Sequence, residues 1–385
     1  MKILLSSKQE IPHEGGLSTH MEDLHAALLA DGHAVELVHG GQTLPGLPSR
    51  LLMAAGALGR RDVYLKYANA AQVRRLAGRI ARAIGAFKPD LLHCHDVFAA
   101  AAADAARTGA RLPTVQTVHG PALYEARSSG SGGAVFHAWI RDCERQAFAA
   151  ADRFIAVDSG QAQILRNDYD VPGDKITVIF NSVNVAELRE LTQAQPTLEA
   201  PEVFFLVPRR LHPKTGVRFA IEAMAKLDRP DVSLLIAGDG PQRGQLEART
   251  AELGLDEKVR FLGSVPRGEL IPLFSRARGV LVPSVPEHGV VEATSLAVME
   301  AMACGSVPIA SNIGGLAELI EHDRTGLLVP PGDPAALAEA LRRVLDEPQS
   351  RDRLVQAAGG KVEADYSTDA WLAKTVAVYQ LALST

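Results

Sequence analysis

Short apolar runs alternate along the chain with longer stretches whose apolar residues recur at helical spacing. Lys2 to Leu5, Ala34 to Val38, Leu91 to Cys94, Thr114 to Val118, Arg153 to Val157 and Ile176 to Ile179 read as strands, with helices at about 17–31, 71–87 and 135–150. Strands separated by helices build parallel sheets, because parallel neighbours need a crossover. The pattern weakens after residue 186. Gln193-Ala194-Gln195-Pro196-Thr197-Leu198-Glu199-Ala200-Pro201 is polar and proline-punctuated, so 191–202 reads as a linker closing a first domain of 1–190.

A second series, Val203 to Val207, Val232 to Ala237, Val259 to Leu262, Gly279 to Val282, Val307 to Ala310 and Gly326 to Val329, gives a second domain over 203–365. A last helix, about Thr368 to Leu383, carries Trp371, Val376, Tyr379 and Leu383 at helical spacing. The pattern leaves open whether this segment, 366–385, packs on the second domain or returns to the first. The predicted fold class is α/β, with two Rossmann-like domains whose ligands belong at the carboxyl ends of the strands and in the cleft between them.

With 385 residues the chain exceeds what one hydrophobic core usually supports. Its 47% apolar and 22% charged residues fit a globular protein, and no run of eighteen apolar residues could span a bilayer. Met1-Lys2-Ile3-Leu4-Leu5-Ser6-Ser7 is too short for a signal-peptide core. Cys94, Cys143 and Cys304 are odd in number and widely spaced, which suits reduced thiols better than a disulfide framework. A soluble cytoplasmic protein is expected. With a net charge of only −5 no nucleic-acid partner is expected, yet between Arg50 and Lys88 nine Lys or Arg accompany a single acid, Asp62. That stretch reads either as a solvated helix face or as a surface for an anionic partner, which would allow peripheral membrane association through 50–88.

The densest chemistry lies in Glu292-Ala293-Thr294-Ser295-Leu296-Ala297-Val298-Met299-Glu300-Ala301-Met302-Ala303-Cys304-Gly305. Thr294 or Ser295 is a good N-cap, the following residues are helix formers, and Gly305 suits the helix end. The N–H groups of about Thr294 to Leu296 therefore suit a diphosphate. Glu292, in the preceding loop, can hold sugar hydroxyls, and Glu300 can accept both hydroxyls of a ribose. Glu300 could instead be ion-paired, but an unpaired carboxylate in so apolar a helix would be costly to bury, which favours a polar ligand.

This pattern resembles glycosyltransferase family 4, retaining enzymes of GT-B fold that share Glu-x7-Glu-Ala-Met-Ala-x-Gly. The resemblance extends through Ile236-Ala237-Gly238-Asp239-Gly240-Pro241, Val259-Arg260-Phe261-Leu262-Gly263 and Gly314-Gly315-Leu316-Ala317-Glu318-Leu319-Ile320. It implies two facing domains and transfer of a hexosyl-type unit, with retention, from a nucleotide diphosphate sugar. The acceptor is left as a glycan, a lipid-linked group or a small molecule. Arg209 and Lys214 match the family's Arg-Leu-x-x-x-Lys-Gly, with Arg210 as the alternative to Arg209, and would neutralise the departing diphosphate. Gly15 and Gly16 match its Gly-Gly loop beside donor or acceptor. His119, at a strand end before Gly120, matches a donor-sugar contact. Phe180-Asn181-Ser182-Val183-Asn184 departs from the family's Asn-Gly-Val-Asp.

His93-Cys94-His95-Asp96 puts two imidazoles on one strand face, but no third metal ligand is evident, so His95 and Asp96 are assigned to the acceptor side. No cofactor and no metal are expected, since the family is generally metal-independent. Three rivals stand beside transfer: a nucleotide-sugar epimerase of the same fold, a non-catalytic nucleotide-sugar-binding protein, and a nicotinamide oxidoreductase. The last is disfavoured because no G-x-G-x-x-G follows the first strand.

Overall fold

The computed structural model describes residues 1–12, 16–41, 54, 59–106, 112–128, 130–194, 198–287, 292 and 294–384. The chain folds into two compact units, Met1–Phe180 with Leu372–Thr385, and Asn181–Trp371.

The first unit holds a six-stranded parallel sheet made of β1 (Lys2–Ser7), β2 (Ala34–His39), β3 (Leu91–Cys94), β4 (Thr114–Val118), β5 (Arg153–Ala156) and β6 (Ile176–Val178), in the order β2-β1-β3-β4-β5-β6. The central strands are apolar on both faces because helices cover both. Ala99 to Ala103 of helix Val97–Ala105 are all buried. Such small side chains let helices Arg61–Phe87 and Ala134–Ala150 approach closely; Leu76, Ile80, Ala147 and Phe148 complete that layer. Helix Arg61–Phe87 begins ten residues earlier than the periodicity suggests. Its first turn is held from outside the helix: Leu65 packs against the Leu123, Phe136 and Ile140 cluster, and Asp62 accepts hydrogen bonds from Gly133, Val135 and Phe136 N–H.

The second unit repeats the plan with β7 (Phe204–Pro208), β8 (Ser233–Ala237), β9 (Val259–Gly263), β10 (Gly279–Val282), β11 (Val307–Ser311) and β12 (Leu327–Val329), ordered β12-β11-β10-β7-β8-β9. Its core joins Phe205 and Val207 to Ile221, Met224, Leu337 and Leu341.

The division falls earlier than the expected boundary at 190. Val183 forms a parallel bridge with Ser367 and donates its N–H to the Tyr366 carbonyl, so 181–192 is tied into the second unit. Helix Val185–Thr192 packs there on helix Arg267–Arg276. At the other end, Leu372 onward belongs with the first unit. Tyr379 is fully buried, and its hydroxyl shares a 2.7 Å hydrogen bond with Nδ1 of the equally buried His93, whose Nε2 lies 2.7 Å from the Thr117 hydroxyl.

Cys94, Cys143 and Cys304 are free and buried, and burial pushes the thiols of Cys143 and Cys304 up to about 12. Among the described residues no helix is long and apolar enough to cross a membrane. In the basic stretch Arg74, Arg75, Arg79 and Arg82 are exposed along the side of their helix away from Leu76, Ile80 and Ala83. Arg50, Leu51, Leu52, Met53 and Leu58 lie outside the described residues.

Tyr379→Phe should leave His93 Nδ1 buried without its partner and cost about 1–3 kcal/mol of stability. Chemical denaturation of the two proteins measures this, and equal midpoints would contradict the tie.

Candidate active site

In an open parallel sheet the ligand crevice lies where the strand order reverses, because the loops leaving the two adjacent strands turn to opposite faces. The sheets reverse between β1 and β3 and between β7 and β10. The residues singled out by sequence gather beside these two places.

At the second unit's reversal, Leu206 pairs with Val280, which brings the Arg209 loop alongside Pro283 and Ser284. Two glycines allow close backbone approaches around this loop, one toward Pro283 and one from the end of β8. Gly216 sits at φ 65°, and a Cβ there would fall 1.9 Å from the Pro283 carbonyl oxygen. A Cβ on Gly238 would fall 2.0 Å from the Arg209 carbonyl. Arg209 extends into the gap, where its Nη2 lies 2.8 Å from Glu292 Oε2 and both side chains are largely shielded from water. Arg209 also donates to Ser284 Oγ at 3.3 Å and to Ser295 Oγ at 3.4 Å, and Ser284 donates to Glu292. Its buried Nε–H finds no acceptor among the described residues. Arg210, the alternative, is exposed.

Ser295 is the N-cap residue of helix Leu296–Ala303, but its hydroxyl caps no helix N–H. Thr294 is half-buried and also has a partner. Lys214 is exposed in a short turn, Pro213–Thr215, whose Lys214 carbonyl accepts from Val285 N–H, and no carboxylate pairs with it among the described residues.

Glu300 is ion-paired, the alternative that the sequence leaves open beside a polar ligand. It is buried, and Arg267 from the neighbouring helix donates to it. Burial raises the Glu300 carboxyl above the usual range while Arg267 pulls it back. Arg267, Ser284 and the His212–Glu287 contact at 3.3 Å were not reached from sequence. All of them depend on pairings across strands or helices that no local pattern signals.

At the first unit's reversal, Asp96 is a clamp. One carboxylate oxygen caps helix Val97–Ala105 through Ala99 N–H, and the other accepts from Lys8 N–H and the Ser7 hydroxyl. Asp96 also lines a cavity of about 160 Å³ with Lys8, His95, Phe98, His119 and Glu125. The Lys8 amine donates to Asn69 and lies 4.1 Å above the Phe98 ring. Burial lowers its pKa and Asp96 opposes the shift. His95 is buried with neither ring nitrogen hydrogen-bonded, and His119 Nε2 is also unpartnered. Burial, followed by neighbouring imidazoles, holds both histidines well below the ordinary range, so they are neutral at pH 7. His20 lies against both rings, with centroids 5.2 and 4.6 Å away. Gly16 opens helix Gly16–Ala30, and Gly15 lies outside the described residues.

Residues 14–187 match the family described as Glycosyltransferase Family 4, and residues 189–360 match Glycosyl transferases group 1. The chain belongs to the group 1 glycosyltransferases. An uncharacterized glycosyltransferase of Methanocaldococcus jannaschii is 29% identical over 406 residues, covering 100% of this chain and 99% of that protein. A glycogen synthase of Mycobacterium tuberculosis is 28% identical over 98% of this chain and 94% of its own length. An Anabaena protein solved in complex with UDP shares the fold, with a TM-score of 0.72 at 19% identity over 99% of this chain and 100% of that one. This group 1 chain is thus an enzyme of the glycosyltransferase type, with its motif residues at the two sheet reversals.

Gly216→Ala should force the Pro283 loop away and strain a left-handed turn, with a stability loss of about 2 kcal/mol or more. A thermal midpoint unchanged from the parent would show that the loop yields freely.

Proposed function

We propose that this enzyme transfers a sugar, with retention, from a nucleotide diphosphate sugar to a hydroxyl of a glycan, a lipid-linked group or a small molecule. The observation that carries this reading is Arg209, held by Glu292, Ser284 and Ser295 at the carboxyl end of β7 and beside a helix N-terminus. A guanidinium and helix N–H groups together favour a diphosphate, and they favour it more as its charge grows in the transition state. The UDP complex of the Anabaena relative in fold supports a nucleotide in this role.

Glu292 neutralises Arg209. A diphosphate carries more charge than one carboxylate, so its arrival would take over the arginine fork and leave Glu292 to accept from sugar hydroxyls. Lys214, exposed on its turn, adds a second positive charge. In the first unit His119 would offer a neutral ring nitrogen to a hydroxyl. Because arginine, lysine and the helix end supply positive charge, the transfer needs no metal.

The test is a thermal-shift screen of UDP-, GDP- and ADP-sugars followed by turnover with the best donor. One donor class should stabilise the protein by about 2.7 kcal/mol at a hundred times its dissociation constant. Arg209→Ala should then lower turnover by about 10²–10³. No shift from any nucleotide sugar, or an unchanged turnover, contradicts the reading.

Glu300 separates two roles. If it holds the ribose, Glu300→Gln raises donor KM while Arg267→Ala, which leaves the carboxylate in place, lowers stability with a smaller change in KM. Equal stability losses with donor KM unchanged in both would leave Glu300 as an ion-pair partner alone.

A further inference from the structure

Helix Ala122–Ser128 stands between two cavities of the first unit. Ala122 and Glu125 line the one already described, while Leu123, Tyr124 and Arg127 line a second of about 250 Å³. Arg141 and Arg145 of helix Ala134–Ala150, with Asp168 and Tyr169 at the end of helix Ser159–Tyr169, complete this second cavity. Three arginines from two helices thus surround one space, and all three are exposed.

The acids within reach are already engaged. Asp168 accepts from the Tyr124 hydroxyl at 2.7 Å. Glu144 is fully buried, and its two oxygens are taken by Leu123 N–H, at 3.0 Å, and by the Tyr169 hydroxyl. Among the described residues no carboxylate forms an ion pair with Arg127, Arg141 or Arg145. By contrast Arg229, Arg243, Arg249 and Arg343 of the second unit each hold a carboxylate. Arg141 and Arg145 also stand four residues apart on one helix, where like charges oppose helix formation, and Arg127 adds a third. Nothing in the first unit offsets that repulsion, so an anion in the cavity would relieve it.

We propose that Arg127, Arg141 and Arg145 form a binding site for the phosphate group of a small phosphate ester. The site uses residues that have no part in the transfer reading above, so it stands or falls independently of that reading. Guanidinium forks match phosphate oxygens two at a time, which a lysine cannot do. Even with Asp168 and Glu144 both ionised, three arginines leave the cavity net positive. It has room for more than a bare anion, and Tyr124 and Tyr169 give it aromatic walls against which the rest of the ester can lie.

Isothermal titration of the full chain with glycerol phosphate, with no nucleotide sugar or acceptor present, tests the site. One ester should bind per chain, and inorganic phosphate should displace it. Arg127→Gln and, separately, Arg145→Gln should each weaken binding by about tenfold or more, the effect of losing a hydrogen bond to a charged group. Arg145→Lys keeps the charge but removes the fork, and should also weaken it. Arg209→Ala, in the second unit, should bind the ester as the parent chain does. Sedimentation with phosphatidic acid vesicles distinguishes a lipid headgroup from a free ester, and the three arginines should contribute nothing to it. The proposal is overturned by no saturable binding of the ester, by parent affinity in either glutamine variant or in Arg145→Lys, by loss of binding in Arg209→Ala, or by vesicle binding that depends on these arginines.

Discussion

The reversal of strand order in each sheet is the constraint on which both candidate clusters depend. Strands β7 and β10 are neighbours in the second sheet although two strands intervene in the chain. Their outgoing loops serve opposite layers of helices, and the opening left between them is where Arg209 extends. The first sheet does the same with β1 and β3, and Asp96 spans that opening by capping one loop's helix while accepting from the other loop's amide. Gly216 against the carbonyl of Pro283 after β10, and Gly238 after β8 against the carbonyl of Arg209, leave no room for a side chain. The chemistry of each site is thus set first by topology, and only then by which residues occupy the loops.

Charge balance sets the resting state of the second unit's cluster. A partly buried guanidinium without a counterion would be costly, and Glu292 is the partner at hand. Two unit charges about 4 Å apart attract by roughly 4 kcal/mol at the effective dielectric of a protein surface. On the proposed reading a diphosphate would offer more charge at a similar distance, so exchange of partners at Arg209 would be favoured without rebuilding the site. Ser284 and Ser295 accept from the same guanidinium, so Ser295 spends its hydroxyl on arginine and not on the helix cap.

Much of this was legible in the sequence because it is local. Twelve strands fell at or within a few residues of the expected ones, since buried parallel strands are apolar runs bounded by turns. The positions of Arg209, Glu292, Ser295 and His119 at strand ends or a helix start followed from the same pattern. What escaped was pairing. Arg209 and Glu292 each received an external ligand on paper, and only the fold shows that they hold one another. Arg267 belongs to a different helix, so no local pattern could name it as the partner of Glu300. The compact units divide ten residues before the polar run that reads as a linker begins, because the bridge from Val183 to Ser367 precedes it. His20 carried no local signal at all, being one polar residue on a helix, and its significance comes from facing two strand ends.

Tyr379, near the far end of the chain, distinguishes two neighbouring imidazoles of the first unit. His93 and His95 are two residues apart on β3, share a face, and have ring centroids 4.1 Å apart. Strand geometry alone would make them equivalent. They differ because Tyr379, from the returning C-terminal segment, occupies one nitrogen of His93 while Thr117 occupies the other. His95 has no such partners and faces the cavity. A fixed His93 ring then forms a floor against which His95 packs, limiting the orientations that His95 can take. The C-terminal helix therefore does more than complete a hydrophobic layer: its buried phenol fixes His93 and so distinguishes it from His95.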